Sequence, residues 1–166
     1  LIIGSAMLVA ALYAYSKGVN EYWSLLLYAP VLGSIAGYLP YNWYPARTFN
    51  GDTGSLYIGA ALGVLAIASR TEVVLVTAMM PYIVNGFHSL LSIGGLLERR
   101  EIKIRPVILD ENNETIIANK DSRAPMTMVN LLTLKTPLRE KEILVAYILL
   151  TLISSILAII TAMITY

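Results

Sequence analysis

The sequence predicts an all-α fold: a polytopic membrane helix bundle of about five transmembrane helices, with a small cytoplasmic β-hairpin insert and a short amphipathic helix. Three observations predict it. Of the 166 residues, 57% are hydrophobic and only 14% are charged, whereas soluble domains carry about 25% charged residues. The charges are clustered, because residues 1–97 hold six, residues 98–142 hold seventeen and residues 143–166 hold none. Long apolar segments recur on both sides of that polar insert.

Composition also excludes some classes of function. The net charge is +1, and no basic patch with interleaved aromatic residues occurs outside the polar insert, so nucleic acid is not an expected partner. The chain has no cysteine. It therefore offers neither a disulfide framework nor a thiolate metal site.

Five segments approach the roughly 20 apolar residues that a helix needs to cross a bilayer. The first and third are short for a span. The first lacks a basic region before it and its pattern recurs later in the chain, so we interpret it as the remainder of a span rather than a signal peptide. The predicted spans are residues 1–16, 22–39, 53–69, 73–97 and 143–166.

Lysine and arginine in the connections predict the orientation, since retained positive charge marks the cytoplasmic side. Five spans put only Lys17 and Arg70 on one face and the other ten basic residues, in segments 40–52 and 98–142, on the opposite face. Those two segments are therefore predicted to be cytoplasmic. The chain divides into four spans over residues 1–97, a basic cytoplasmic loop over 98–142 and a final span over 143–166.

The basic loop has a pattern of its own. Its runs IKIRPVILD and ETIIA place β-branched residues on either side of a turn-rich ENN, which predicts a hairpin. The run MTMVNLLTL, ending before Pro137, predicts a short amphipathic helix at the membrane interface.

One carboxylate stands out before the basic loop. Asp52 falls at the predicted start of the third span, beside the free backbone N–H groups and the positive dipole end of that helix. Such a place can hold a carboxylate, a metal–phosphate assembly or both. The alternative is that Asn50-Gly51 makes a turn and that Asp52 or Thr53 caps the helix. The spacing of a phosphate-binding P-loop is missing.

The surrounding run NWYPARTFNGDTGSLYIG resembles the signature of the polyprenyl-phosphate N-acetylhexosamine-1-phosphate transferases. The resemblance continues through MPYIVNGFHSL, RREIKIRP and MTMVNLL, and it is greatest to the archaeal and eukaryotic UDP-N-acetylglucosamine–dolichyl-phosphate branch. It implies magnesium-dependent transfer of N-acetylglucosamine 1-phosphate from UDP-N-acetylglucosamine to a polyprenyl or dolichyl phosphate at the cytoplasmic face. UMP would be released, as the first step of lipid-linked oligosaccharide synthesis for protein N-glycosylation.

The resemblance also implies roles for individual residues. Asp52 would be catalytic and a magnesium ligand, and Phe49 would stack on the uracil ring. The basic loop would contact the sugar-nucleotide through Arg100, Lys103 or Arg105, with an anchor for headgroup phosphates as the alternative. Because arginine grips a diphosphate bidentately and lysine acts as a point charge, lysine at 103 departs from the family pattern.

Other polar and small residues in the spans have more ordinary explanations. His88 in the fourth span is a functional candidate by default, but Asn85 and Ser92 at helical spacing favour hydrogen bonding between packed helices. Pro81 predicts a kink. The Gly33/Gly37 and Gly59/Gly63 pairs predict close helix packing. No histidine occurs in 98–142, unlike in the bacterial muramyl branch.

The adjacent Asp pair of the family is absent from this sequence. We therefore expect a C-terminal half of the enzyme that has no transferase activity alone. The expected partners are a UDP-sugar, a polyprenyl or dolichyl phosphate and the membrane, and a homodimer is left open. The non-enzymatic alternative is a multi-pass membrane scaffold or a transporter subunit. The expected location is the cell membrane of an archaeon or the endoplasmic reticulum of a eukaryote.

Overall fold

A computed structural model describes residues 1–92, 104–110, 114–121 and 124–166. These residues are mostly helical, with one two-stranded sheet. The elements in chain order are α1 (Ile2–Ser16), α2 (Tyr22–Leu26), α3 (Tyr28–Asn42), α4 (Gly51–Ser69), α5 (Glu72–Ala78), α6 (Met80–Ser92), β1 (Val107–Asp110), β2 (Thr115–Ala118), α7 (Met128–Thr133) and α8 (Glu140–Thr165).

Three helical segments in the described residues are long and apolar enough to cross a membrane. They are Tyr22–Asn42, which joins α2 and α3, together with α4 and α8. The pair α5 and α6 adds a fourth if it counts as one broken span, and α1 is shorter, with 15 residues. A membrane helical protein is thus supported, while the number of five spans stays a prediction.

The fourth predicted span is interrupted in the middle. Its helix stops at Ala78 and resumes at Met80, one residue before Pro81. Proline has no N–H to donate to the carbonyl four residues earlier, and its ring clashes with that carbonyl. The predicted kink is therefore confirmed as a break. The end of this predicted span, residues 93–97, lies outside the described residues.

The chain forms two compact units. The first comprises Leu1–Met80 and Thr151–Tyr166. Its core is rich in alanine. Most of the buried residues that α1, α4, α5 and α8 contribute to this core are small. Without water to drive association inside a bilayer, such residues let helices approach closely enough for van der Waals packing. The buried alanines of this unit are Ala6, Ala10, Ala11, Ala14, Ala66, Ala78, Ala158 and Ala162.

The glycine that is packed closely is not one of the predicted ones. A Cβ added at Gly4 would come within 2.6 Å of Leu32 Cδ2, whereas Cβ atoms added at Gly33, Gly37, Gly59 and Gly63 would meet no described atom within 4 Å. The prediction that those two pairs mediate packing is therefore wrong for the described residues. They lie on helix faces turned away from the core, and α1 approaches α3 through Gly4 instead.

A buried hydroxyl cluster ties the end of α4 to α3. Ser69 Oγ donates to Leu65 O at 2.6 Å and lies 2.8 Å from Tyr28 Oη and 2.9 Å from Thr71 Oγ1. Because a serine hydroxyl has one hydrogen and two lone pairs, Tyr28 and Thr71 are both donors to it. Asn20 Nδ2 also donates to Ser69 O at 3.1 Å. The cluster satisfies polar groups that a membrane interior would otherwise leave unpaired.

The second unit, Pro81–Leu150, contains the predicted hairpin. β1 and β2 pair antiparallel, with Val107 opposite Ala118 and Asp110 opposite Thr115. The hairpin is confirmed, and its turn at 111–113 lies outside the described residues. The predicted helix before Pro137 is confirmed as α7, with Thr127 as its N-cap accepting from the backbone N–H of Asn130.

Two polar side chains of α6 hold the segment that leads into α7. Asn85 Oδ1 accepts from Met128 N at 2.7 Å, and Ser92 Oγ accepts from Met126 N at 2.8 Å. His88, between them in sequence, is exposed. The expected hydrogen bond between packed helices is therefore found for Asn85, which accepts from the first residue of α7, whereas Ser92 accepts from Met126 in the segment before α7.

Candidate functional site

The loop between α3 and α4 is tied to the end of α3 by backbone bonds. The N–H groups of Arg47 and Thr48 both donate to Tyr41 O, at 2.9 and 3.1 Å. Asn42 Nδ2 donates to Thr48 O at 3.0 Å. These bonds close the loop into a compact turn and set where the chain leaves it. The Tyr44–Pro45 peptide within the loop is cis.

Phe49 follows this turn directly and is the most exposed large hydrophobic side chain among the described residues, at 85%. An exposed aromatic ring next to a fixed turn is available for stacking on a planar ring, as aromatic side chains do with nucleic acid bases. The structure thus leaves Phe49 accessible, as the predicted uracil contact requires.

Asp52 lies in the first turn of α4. Asn50 is the N-cap residue, and it makes no side-chain capping bond. Gly51 has φ +60°, a conformation that glycine adopts without strain. The alternative in which Asp52 or Thr53 caps the helix is therefore wrong, because the helix begins before them. The carboxylate of Asp52 is exposed at the positive end of the α4 dipole, where an anion is stabilised.

The residues around Asp52 fit a magnesium ion that is also bound by a substrate phosphate. No group of three or more acidic, histidine or cysteine side chains that could hold a metal occurs in the described residues. Mg²⁺ commonly binds through one or two carboxylates together with substrate phosphates. A single accessible carboxylate at a helix N-terminus fits a magnesium ion shared with a bound phosphate, and it does not fit a metal cage built by protein alone.

The structure places only part of the predicted substrate site. Phe49 and Asp52 come together at the start of α4. Arg100 and Lys103 lie outside the described residues. Arg105 is exposed in the second unit, just before β1, and its carbonyl oxygen accepts from Asn119 Nδ2 at 2.9 Å. The described structure therefore supports no choice among the three basic residues.

A groove beside this site was not predicted. It lies between α3 and α4 and has a volume of about 450 Å³. The lining residues recur at helical spacing on both helices, which is the one signal in the sequence that could have indicated it. They are Pro30, Val31, Ser34, Ile35, Tyr38, Asn50, Gly54, Tyr57, Ile58 and Ala61.

Comparison with known proteins identifies relatives of this chain and a family match that covers its N-terminal part. Two phospho-N-acetylmuramoyl-pentapeptide-transferases are similar to this chain: that of Campylobacter lari is 36% identical over 93 residues, 55% of this chain and 26% of the relative. That of Moorella thermoacetica is 39% identical over 113 residues, 64% of this chain and 35% of the relative. The chain thus spans about a quarter to a third of the length of these relatives. No solved structure matches it. The family model of glycosyl transferase family 4 matches residues 1–70, the segment that contains both Phe49 and Asp52.

Proposed function

We propose that this chain is part of an enzyme that transfers an N-acetylhexosamine 1-phosphate from a UDP-sugar to a polyprenyl phosphate and releases UMP. The observation that carries the proposal is the start of α4, where an exposed aromatic ring precedes an exposed carboxylate at a helix N-terminus. Both residues fall within the segment that matches glycosyl transferase family 4. Because the chain spans only part of its relatives, the activity is proposed for the full-length protein.

The chemistry is an exchange at one phosphorus atom. An oxygen of the lipid phosphate forms a new bond to the sugar-bearing phosphorus, and the bond from that phosphorus to UMP breaks, so UMP leaves with the bonding electron pair. Catalysis of phosphoryl transfer is mostly positioning and charge stabilisation. Few protein groups are therefore needed at the reacting atoms.

The residues of this chain would divide that task. Phe49 would stack on the uracil ring and fix the nucleotide. Asp52 would hold a magnesium ion against the diphosphate, and the first N–H groups of α4 would stabilise negative charge beside it. When bound, magnesium would polarise the phosphoryl oxygens and offset their charge. Arg100, Lys103 or Arg105 would add counter-charge on the sugar-nucleotide.

We propose UDP-N-acetylglucosamine as the sugar donor and a dolichyl-type polyprenyl phosphate as the acceptor. The resemblance of the sequence to the dolichyl branch and the absence of histidine from residues 98–142 support this choice. A UDP-linked N-acetylmuramoyl-pentapeptide is the second candidate donor, favoured by the names of the relatives.

We place the active face on the cytoplasmic side, because ten of the twelve basic residues fall in segments 40–52 and 98–142. A protein that acts on a membrane lipid with a soluble nucleotide-sugar requires such an interfacial site. A non-enzymatic scaffold or transporter subunit would need neither nucleotide nor magnesium.

The test is an assay of the purified full-length protein in lipid nanodiscs. UMP release is measured with polyprenyl phosphate and each of the two donors, with magnesium and with excess EDTA. Magnesium-dependent UMP release with UDP-N-acetylglucosamine is the expected result. Release with the muramoyl donor alone would support the second candidate, and no release with either donor would favour the scaffold.

A further inference from the structure

A buried asparagine of α7 joins the two ends of the β-hairpin. Asn130 is only 6% exposed, and its Nδ2 donates to Pro106 O at 2.6 Å and to Asn119 O at 3.1 Å. Pro106 directly precedes β1, and Asn119 directly follows β2. One side chain therefore holds the hairpin where the chain enters and leaves it. We call these two hydrogen bonds the hairpin clamp.

The hairpin clamp depends on the type of side chain at position 130. A primary amide has two N–H donors on one nitrogen, so it can serve two carbonyl oxygens at once. Serine and threonine have one donor, and an aspartate carboxylate has none. A buried carbonyl oxygen that loses its donor is destabilising, because water does not replace the lost bond. Asparagine is therefore suited to this position, whereas an aliphatic residue of the same shape is not.

Asn119 extends the hairpin clamp to Arg105. Its backbone N–H donates to Pro106 O at 3.0 Å, and its Nδ2 donates to Arg105 O at 2.9 Å. Two successive carbonyl oxygens, one before and one after the proline ring, are thus held by hydrogen bonds. The ring also fixes its own φ and disfavours the helical region for the residue before it. The backbone of Arg105 is therefore restrained, while its side chain is exposed.

The helix that carries Asn130 is held by bonds that do not involve the hairpin. Thr127 Oγ1 caps α7 by accepting from the backbone N–H of Asn130 at 3.2 Å. The N–H of Met128, the first residue of α7, donates to Asn85 Oδ1 of α6 at 2.7 Å. Because α7 is fixed in this way, its hydrogen bonds to the hairpin can restrain the backbone at Arg105.

Such a restraint favours the binding of an anion by Arg105. Ordering a mobile segment during binding consumes part of the interaction free energy, and restraint before binding removes that cost. The guanidinium is a planar group that binds phosphate oxygens bidentately, so its direction of approach affects both hydrogen bonds. In the proposed reaction, the UDP-sugar supplies a diphosphate.

We propose that Asn130 is a positioning residue of the transferase. Through Pro106 and Asn119 it fixes the backbone of Arg105, so that the guanidinium is directed to the diphosphate of the UDP-sugar. The proposal rests on the proposed function, because that function supplies the sugar-nucleotide. Asn130 acts only through Arg105, so its contribution to binding of the UDP-sugar disappears when Arg105 is removed.

The first experiment is a double-mutant cycle between residues 130 and 105 in the full-length protein in nanodiscs. Asn130→Leu keeps the branched shape of the side chain but removes both donors. We expect it to raise the KM for the UDP-sugar about fivefold, and Arg105→Ala to raise it about tenfold. The double variant should have the KM of Arg105→Ala alone. The KM for polyprenyl phosphate should not change. The donor is whichever of the two candidates supports UMP release.

Thr133→Val is the matched control. Thr133 is also buried in α7, and its hydroxyl donates to Val129 O and Asn130 O of the same helix. Its replacement should leave the KM for the UDP-sugar unchanged. Asn119→Ala is the second variant if Asn130→Leu fails to fold, because Asn119 is only partly buried. It removes the bond to Arg105 O and should raise the same KM, again only while Arg105 is present. Thermal unfolding identifies a failure to fold.

The second experiment tests the hairpin clamp without turnover. Hydrogen exchange is followed by mass spectrometry in the peptide 115–121, which contains the N–H that Asn119 donates to Pro106 O. We expect Asn130→Leu to speed exchange in this peptide and to leave the peptides of α8 unchanged. Unchanged exchange in 115–121 would overturn the hairpin clamp.

The outcomes separate this proposal from the proposed function. UMP release with an unchanged KM for the UDP-sugar in Asn130→Leu or in Arg105→Ala would overturn the positioning role and keep the transferase. So would effects that multiply in the double variant, because Asn130 would then act independently of Arg105. Absence of UMP release from the unaltered protein with either donor would overturn the proposed function and this proposal together.

Discussion

The hydroxyl of Ser154 in α8 donates a hydrogen bond of 2.9 Å to the carbonyl oxygen of Ala78, the last residue of α5. The last carbonyls of a helix have no intrahelical donor, and Pro81 prevents α5 from continuing to supply one. Inside a membrane such a carbonyl must find another donor. The final span therefore stabilises the break in an earlier one.

Ser154→Ala should destabilise the protein by about 0.5–1.5 kcal/mol, the range of single hydrogen bonds between membrane helices. Ser155→Ala is the matched control. Its hydroxyl is equally buried but has no partner among the described residues, so its removal should be neutral or slightly stabilising. Unfolding of both variants in detergent gives the comparison. Equal loss in both would contradict the role assigned to Ser154.

Ser69→Ala should cost more, about 1–3 kcal/mol, because it leaves Tyr28, Thr71 and Leu65 O without their common partner. Ser16→Ala serves as control, since that hydroxyl is exposed and bonds only to its own helix at Tyr13 O. Thermal unfolding in nanodiscs measures both changes. A loss below 0.5 kcal/mol at Ser69 would show that the cluster contributes little.

Asp52→Asn in the full-length protein should reduce UMP release at least about 100-fold, because the neutral amide no longer binds magnesium strongly. Its unfolding temperature should change little, since the side chain is exposed. Glu72→Gln provides the control, as another carboxylate in the first turn of a helix. If both variants kept full activity, Asp52 would have no part in catalysis.

Phe49→Leu should raise the KM for the UDP-sugar about tenfold, since stacking of a base on an aromatic ring contributes about 1–3 kcal/mol. The KM for polyprenyl phosphate should not change. Phe87→Leu makes the same substitution at another exposed phenylalanine, which lies on α6. An unchanged KM for the UDP-sugar in Phe49→Leu would exclude the stacking role.

Asn85→Leu should expose the backbone amide of Met128 to hydrogen exchange, because it removes the side-chain acceptor of that N–H. Asn85→Asp retains an acceptor oxygen and should keep the amide protected. Exchange of the peptide 126–133, followed by mass spectrometry, distinguishes the two. Equal protection in all three proteins would mean that the segment before α7 is held by other contacts.

Much of the fold follows from local pattern. Apolar length predicted the helices, the residues flanking ENN predicted the β1–β2 hairpin, and Pro81 predicted the break after Ala78, because each signal acts through nearby backbone. The predicted span at 53–69 begins two residues after the observed start of α4 at Gly51. A count of apolar residues does not detect the backbone conformation of Gly51 that lets the helix start there.

These local sequence signals did not predict how the helices pack against one another. The pairs Gly33/Gly37 and Gly59/Gly63 have the spacing of a packing motif, but the close approach of another helix occurs at Gly4, where an added Cβ would meet Leu32 of α3. A small-residue pattern shows only that another helix can approach closely at that position. Which helix does so depends on the packing of the whole bundle. For the same reason, His88 is exposed while Asn85 and Ser92 bind a distant segment.

By itself, the sequence determined that this is a membrane helical protein, where its polar insert lies, and that Phe49 and Asp52 share one loop and helix start. Those properties depend on hydrophobicity, charge and residues close together in the chain. Only the tertiary structure decided that Ser154 meets Ala78, that Ser69 joins α4 to α3, and that a groove lies between α3 and α4. These relations join residues far apart in sequence, whose contacts arise from the packing of whole helices.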